Sequence, residues 1–362
     1  MTFKLTMFPA SEGDCLLLSW GAEHARRHAL TDLGRKGDYK ALRPTFAALG
    51  GIELLTITHI DADHIEGAVP MFAETAPPFT PRQTWFNAYY QLGLANERLQ
   101  VAARETLGAA QAEKVSAGLV AFRWPWNASF ASGVVSVDSA EAAKPIALAG
   151  GLTLQILSPT DSKLAKLIPK WDAELAKANL RTTDPEAVEA ALAEGREALG
   201  GESLNVDALA KKPFVIDRAE ANGSAIAFLA QYGDRSVLMG ADAHPDVLEA
   251  SLRALGASEE TPLKIDCFKL PHHGSKSNLS PKLLSIIDCT RFAISTSGAR
   301  FNHPDPESIA RILKNDPTRQ KELIFNFRQE RTEIWDDPKL MEKYKYTCTF
   351  PEQEGAAVEI QL

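Results

Sequence analysis

The stretch Leu54-Leu55-Thr56-Ile57-Thr58-His59-Ile60-Asp61-Ala62-Asp63-His64-Ile65-Glu66-Gly67-Ala68 decides the fold. Its first five residues are apolar or β-branched, and the next six hold two histidines and two aspartates. An apolar run that ends in polar side chains reads as a buried strand opening into a loop, where metal sites are commonly built. Imidazole nitrogen and carboxylate oxygen suit zinc, manganese or iron(II), and the absence of nearby cysteine argues against a purely structural zinc site. The plainer reading is a helix N-cap beside a solvated acidic loop. A cap uses one carboxylate or hydroxyl, which leaves the second aspartate and both histidines unexplained.

The same pattern recurs along the chain. Ser236-Val237-Leu238-Met239-Gly240-Ala241-Asp242 is an apolar strand ending in a carboxylate. Lys269-Leu270-Pro271-His272-His273-Gly274-Ser275-Lys276-Ser277 places two histidines after another apolar run. Ile294-Ser295-Thr296-Ser297-Gly298 leads to Arg300-Phe301-Asn302-His303-Pro304. Near the start stand Glu12-Gly13-Asp14-Cys15-Leu16-Leu17-Leu18 and Thr31-Asp32-Leu33-Gly34. Singly each is common.

Taken in order, these segments resemble the metallo-β-lactamase superfamily, whose usual signature is His-x-His-x-Asp-His followed by Gly. Asp61 stands where that signature has its second His. The same departure, and the His-His-Gly-Ser run, resemble the soluble ComEC-like domain of competence proteins. The likeness spans residues 12 to 304, with no matching motif from about 70 to 220. It implies an α/β, four-layer αββα sandwich forming a single elaborated domain over 1–362, with about 70–220 a largely helical insertion or lid. By the same resemblance His59 and Asp61 serve a first metal, Asp63, His64 and His303 a second, and Asp242 lies between them. The implied cofactor is one or two divalent ions, zinc foremost and manganese the alternative. The family's third His for the first site has no counterpart, since no histidine occurs between His64 and His244. Asn222 or Ser224 is a weak replacement, because a neutral amide is a poor transition-metal ligand. Asn222-Gly223 reads equally well as a tight turn.

A divalent ion lowers the pKa of coordinated water toward about 7 and polarises the electrophile. Asp61 or Asp63 is a candidate to orient the attacking water. His272 or His273 is the candidate acid for the leaving group, imidazole being the side chain that titrates near neutrality; the competing reading makes one of that pair a ligand. Gly274, Ser275 and Lys276 are candidates for holding phosphate oxygens, and Arg300 and Lys269 for attracting an anion, against the default of a solvated charge. Trp85, Trp124, Trp126 and Tyr89-Tyr90 offer stacking surfaces, although aromatics at this density are more often core. His244 is a weak ligand candidate, and His24 and His28, with Arg26 and Arg27, read as a charged hairpin.

At 362 residues and 45% hydrophobic content the chain can bury a large core. No apolar run approaches the roughly 20 residues of a membrane helix, and the start reads as a first strand, not a signal peptide. Four cysteines at 15, 267, 289 and 348 lack metal-binding spacing, so free buried thiols in a cytoplasmic protein are expected. Helices are expected over Ala41 to Leu49, 95–120, 161–200 and after His244-Pro245, and strands over Leu152 to Leu157, Ala225 to Leu229, Ser236 to Met239, Leu263 to Phe268 and Phe292 to Ser295.

The expected reaction is metal-dependent hydrolysis, with a phosphodiester favoured by the His-His-Gly-Ser run. The net charge of −8 opposes a wrapped duplex, which calls for a basic surface. A nucleic-acid end, an oligonucleotide or a nucleotide-like small molecule fits better. The alternatives are lactone, amide or thioester hydrolysis, and a non-catalytic module with a degraded metal site that binds a partner protein through the insertion.

Overall fold

Leu16 and Leu18 point one way from their strand and Leu17 the other, and both directions are buried. That two-sided burial follows from the alternation of side chains along a strand and calls for a layer on each face. In the computed structural model, which describes residues 2–99, 110–180 and 204–362, both layers are present. Strands β1 (Thr2–Met7), β2 (Leu16–Gly21), β3 (Arg27–Thr31), β4 (Ile52–Thr56) and β5 (Thr84–Trp85) form one sheet. The C-terminal strand β16 (Val358–Gln361) adds to its edge, giving the order β16-β1-β2-β3-β4-β5. The second sheet contains β6 (Ile146–Ala147), β7 (Thr153–Ser158), β8 (Ala227–Tyr232), β9 (Arg235–Met239), β11 (Cys267–Lys269), β13 (Arg291–Ile294), β14 (Lys321–Phe325) and β15 (Tyr346–Thr349). Its order is β15-β14-β13-β11-β9-β8-β7-β6, parallel from β15 to β9 and antiparallel from there to β6.

The sheets pack face to face. Leu5, Leu16, Leu18, Trp20, Leu54 and Trp85 of the first meet Leu154, Ile156, Phe228, Val237, Cys267 and Ala293 of the second. Leu17, Leu30 and Leu55 turn outward onto the helices Lys36–Ala48, Tyr89–Arg98, Ala110–Ala121 and Asp161–Leu180. Leu238, Phe268, Phe292 and Leu323 turn outward onto Pro245–Ala254, Pro281–Ser285 and Pro306–Lys314. Helix, sheet, sheet, helix is the expected four-layer αββα sandwich.

Several boundaries differ from expectation for physical reasons. The first helix starts at Lys36, where the Asp38 carboxylate accepts the Arg35 amide at 2.8 Å. It runs through Pro44, which is exposed, so the Lys40 carbonyl deprived of its bond faces water. Leu263 to Phe268 divides into β10 (Leu263–Lys264), which pairs with β12 (Ile287–Asp288), and β11, because Asp266 turns back to accept the Ser236 amide at 2.8 Å. Between 70 and 220 the described residues enter both sheets, through β5 and through β6 and β7, and also supply the helices Tyr89–Arg98, Ala110–Ala121, Asp161–Leu180 and Val206–Ala210. The remainder of the helices expected over 95–120 and 161–200 lies outside the described residues. No described helix is long and apolar enough to cross a membrane.

Candidate metal centre

In parallel strands the C-terminal ends share one edge of the sheet, and the residues that follow them converge there. The loops after β3, β4, β9 and β11 deliver Asp32, His59 to His64, Asp242, and His272 with His273. Sharp left-handed turns aim several of them: Asp32 has φ 57°, Ala241 44°, His272 46° and His273 53°. Such backbone is costly for bulky residues and concentrates at functional sites.

Two groups of side chains could hold a metal ion: His59, His64 and Asp242, and Asp63, His64 and His273. They share His64, so five buried residues form one cluster. His64 Nε2 lies 3.3 Å from His273 Nε2, 3.5 Å from Asp242 Oδ1 and 3.8 Å from Asp63 Oδ2. His273 Nε2 is 3.4 Å from Asp63 Oδ2, and His59 Nε2 is 3.7 Å from Asp242 Oδ2.

The far side of each ring fixes its tautomer. His64 Nδ1 donates to Asp32 Oδ2 at 2.7 Å, and His273 Nδ1 donates to the Ser295 carbonyl at 2.8 Å. The Thr58 hydroxyl spends its proton on Asp32 Oδ2 at 2.7 Å, so it accepts from His59 Nδ1 at 2.9 Å. All three rings therefore turn Nε2 inward, the arrangement in which outer partners orient metal-binding imidazoles. His59 Nε2 and Asp242 Oδ1 are buried without a hydrogen-bond partner. An orphaned lone pair on each is what a cation would satisfy, so the donor set fits a divalent ion.

The charges agree. Burial lowers His59 to about 4, with the neighbouring His64 acting the same way. Burial opposes ionisation of Asp63 and Asp242, but the facing histidines hold both below the ordinary carboxylate range. Burial also disfavours charge on His64, and Asp242, Asp63 and Asp32 outweigh it, raising that imidazole above its usual value. A metal ion would bind His59, Asp63 and Asp242 in these deprotonated forms, and the Nε2 proton that the carboxylates favour on His64 is the one binding would release.

Other expected residues stand around this cluster. Asp61 is at the mouth, 43% exposed, with Oδ2 3.7 Å from His59 Nε2. His272 belongs to neither group: its Nδ1 faces Asn278 Oδ1 at 2.9 Å and Asp217 Oδ2 at 3.5 Å, and its Nε2 is 3.8 Å from Asp242 Oδ2. Burial pulls His272 down, but Asp242 and Asp217 raise it to about 9. His303 also lies outside both groups, its ring 5.1 Å from that of His272 and 6.4 Å from that of His273. Gly274 makes the tight turn against Pro304 with φ 84°. Ser275 is absorbed by the same turn, its amide donating to the His272 carbonyl and its hydroxyl accepting from the Ser277 amide. Lys276 and Arg300 are exposed beside it.

Some readings are corrected. Lys269 is fully buried and pairs with Asp14 at 2.8 Å, so it attracts no substrate. The Asp14 carboxylate in turn approaches His273 Nδ1 at 3.7 Å. Both nitrogens of His244 are occupied, by Lys163 Nζ at 2.8 Å and the Ala219 carbonyl at 2.9 Å. Ser224 donates to the Ala221 carbonyl, whereas Asn222 keeps Oδ1 buried and unpartnered while Nδ2 donates to Asp217. Trp85 and Trp124 are core, and His28 is buried against Ser19 instead of lying on a hairpin surface. Nothing in the sequence alone marks Asp32, Asp217 or Asn278 as site residues. Asp32 was visible only as a strand end, and its contacts to Thr58 and His64 lie 26 and 32 residues away.

The layer order, with a His/Asp cluster at the shared strand edge, is the αββα sandwich architecture expected from the sequence. Among solved structures, the chain is similar to the metallo-β-lactamase fold protein YhfI from Bacillus subtilis, at 11% identity and a TM-score of 0.42, covering 99% of this chain and 100% of that one. No protein-family model and no curated protein sequence matches the chain.

Proposed function

We propose that this chain is a metal-dependent hydrolase, and within that class a phosphodiesterase for a short anionic substrate such as an oligonucleotide end or a nucleotide-like molecule. The observation that carries the reading is the convergence of three inward Nε2 atoms and two carboxylates held below the ordinary range in two adjoining buried groups that share His64. His59, Asp63, His64, Asp242 and His273 would hold the ion or ions, and a nitrogen-rich set with carboxylates suits zinc, with manganese the harder alternative. When bound, a divalent ion supplies Lewis acidity, acidifying water and drawing charge from a phosphoryl oxygen.

The chain's own residues supply the rest. Asp61, partly exposed at the mouth, orients the attacking water by accepting one of its protons. His272 keeps Nδ1–H on Asn278 and Asp217 and turns Nε2 toward the cluster, which places a proton where a leaving oxygen departs. His303, beside His272 and outside both ligand groups, belongs on this leaving-group side. Lys276 and Arg300 supply charge to the anionic substrate from the rim.

The test is hydrolysis of bis-p-nitrophenyl phosphate against p-nitrophenyl acetate, with chelated protein resupplied with zinc or manganese. Diester cleavage that returns with metal is expected. Cleavage of the neutral ester alone would move the reading to ester, lactone or thioester chemistry, and cleavage of neither would leave a binding module.

A further inference from the structure

A cavity opens behind His272, on the far side of Asp217. It has a volume of about 350 Å³ and is lined by Lys163, Lys166, Asp217, Arg218, Glu220 and His244, among others. Asp217 is the lining residue on the side of the metal cluster. Asp217 Oδ2 is 3.5 Å from His272 Nδ1, and His272 Nε2 is 3.8 Å from Asp242, so one imidazole separates cavity from cluster.

Its charges are of two kinds. Lys163 is engaged, by His244 at 2.8 Å and Asp246 at 3.2 Å, and Asp217 accepts from Asn222 and Asn278. Lys166 and Arg218 are exposed on the lining, and neither has a carboxylate partner among the described residues. They stand against a single carboxylate of the lining, Glu220, that likewise has no ion-pair partner among the described residues. Unpaired Arg and Lys facing one cavity make an anion site: the guanidinium forks onto two oxygens while the ammonium adds a point charge. The volume suits one nucleotide-sized group and not a track of phosphates.

We propose that this cavity is a subsite for a terminal phosphomonoester of the substrate, held by Lys166 and Arg218 while the scissile diester lies at the metal cluster. The assignment rests on the phosphodiesterase reading for its substrate but is tested apart from it. Neither residue touches the cluster, so removing both charges leaves the metal ligands and the acid in place.

The experiment compares wild type with Lys166→Ala/Arg218→Ala. Calorimetry measures binding of thymidine 3′,5′-bisphosphate and thymidine 5′-monophosphate. In parallel, hydrolysis of thymidine 5′-(p-nitrophenyl phosphate) is followed with and without a 3′-phosphate. Wild type should favour the second phosphate by about tenfold in affinity and in KM, at the scale of one charge-assisted contact. The double variant should lose that preference and keep its rate on bis-p-nitrophenyl phosphate. A preference that survives the double variant, or no preference in wild type, overturns the subsite. Phosphate-dependent binding that the variant loses, without hydrolysis of any ester, supports the subsite and removes the phosphodiesterase reading.

Discussion

Asp32 is buried at φ 57° and accepts three hydrogen bonds, from the Thr58 amide, the Thr58 hydroxyl and His64 Nδ1. It thereby sets the tautomer of His64 directly and that of His59 through Thr58. Asn tolerates the same backbone, but its NH2 would meet donors where Oδ2 accepts two protons. Asp32→Asn should therefore stay folded and bind metal about 10–100-fold more weakly, measured by competition with a chelator. His272 makes a second prediction. If it protonates the leaving oxygen, His272→Gln should slow cleavage of a dinucleotide by about 10²–10⁴-fold and leave p-nitrophenyl diesters, whose leaving group needs no proton, nearly unchanged. A third concerns His28, which burial, helped by Arg26 and Lys4, lowers to about 4. Its folded pKa lies below the unfolded value, so its share of stability is present above about pH 6.5 and lost as pH falls toward 4. The urea midpoint should fall across that window, and less steeply in His28→Gln. The candidate ligands at 59, 63, 64 and 242 were legible because each follows an apolar strand. Lys269 was not, since its partner Asp14 is 255 residues away, and a lone lysine reads as solvated.

Between elements, close approaches hold the site in place. A Cβ on Gly13 would lie 1.8 Å from the Asp63 carbonyl oxygen, so the loop after β1 and the ligand loop after β4 touch backbone to backbone. Gly13→Ala has to push the ligand loop away, and it should lower thermal stability by about 1–3 kcal/mol and reduce metal retention together. The Lys269–Asp14 pair joins that same loop to the end of β11 across the two sheets. Lys269→Met leaves a buried carboxylate uncompensated and should cost about 3–5 kcal/mol in denaturant unfolding, whereas Lys269→Met/Asp14→Leu should recover much of it. Strands and helices around the motifs were readable from alternation and from Pro245 at a helix start. Their exact limits were not, because side-chain turns such as Asp38 on Arg35 and Asp266 on Ser236 set them.

For the whole molecule, the motifs from 12 to 304 carried the layer order. They did not reveal that β14, β15 and β16 complete both sheets, with β16 pairing antiparallel to β1 across almost the entire sequence. Nothing local in Val358–Gln361 specifies that partner. The net charge of −8 acts at this scale too, and retention of a long duplex at physiological salt is not expected, because counterion release needs many basic contacts. The central claim is a metal centre shared by loops from both sheets, and elemental analysis of wild type and His64→Ala tests it most directly, since His64 belongs to both ligand groups. One or two ions per chain in wild type and none in the variant, with diester hydrolysis lost alongside, is the predicted result. A wild-type chain that holds no zinc or manganese after resupply, or a variant that holds as much as wild type, would contradict it.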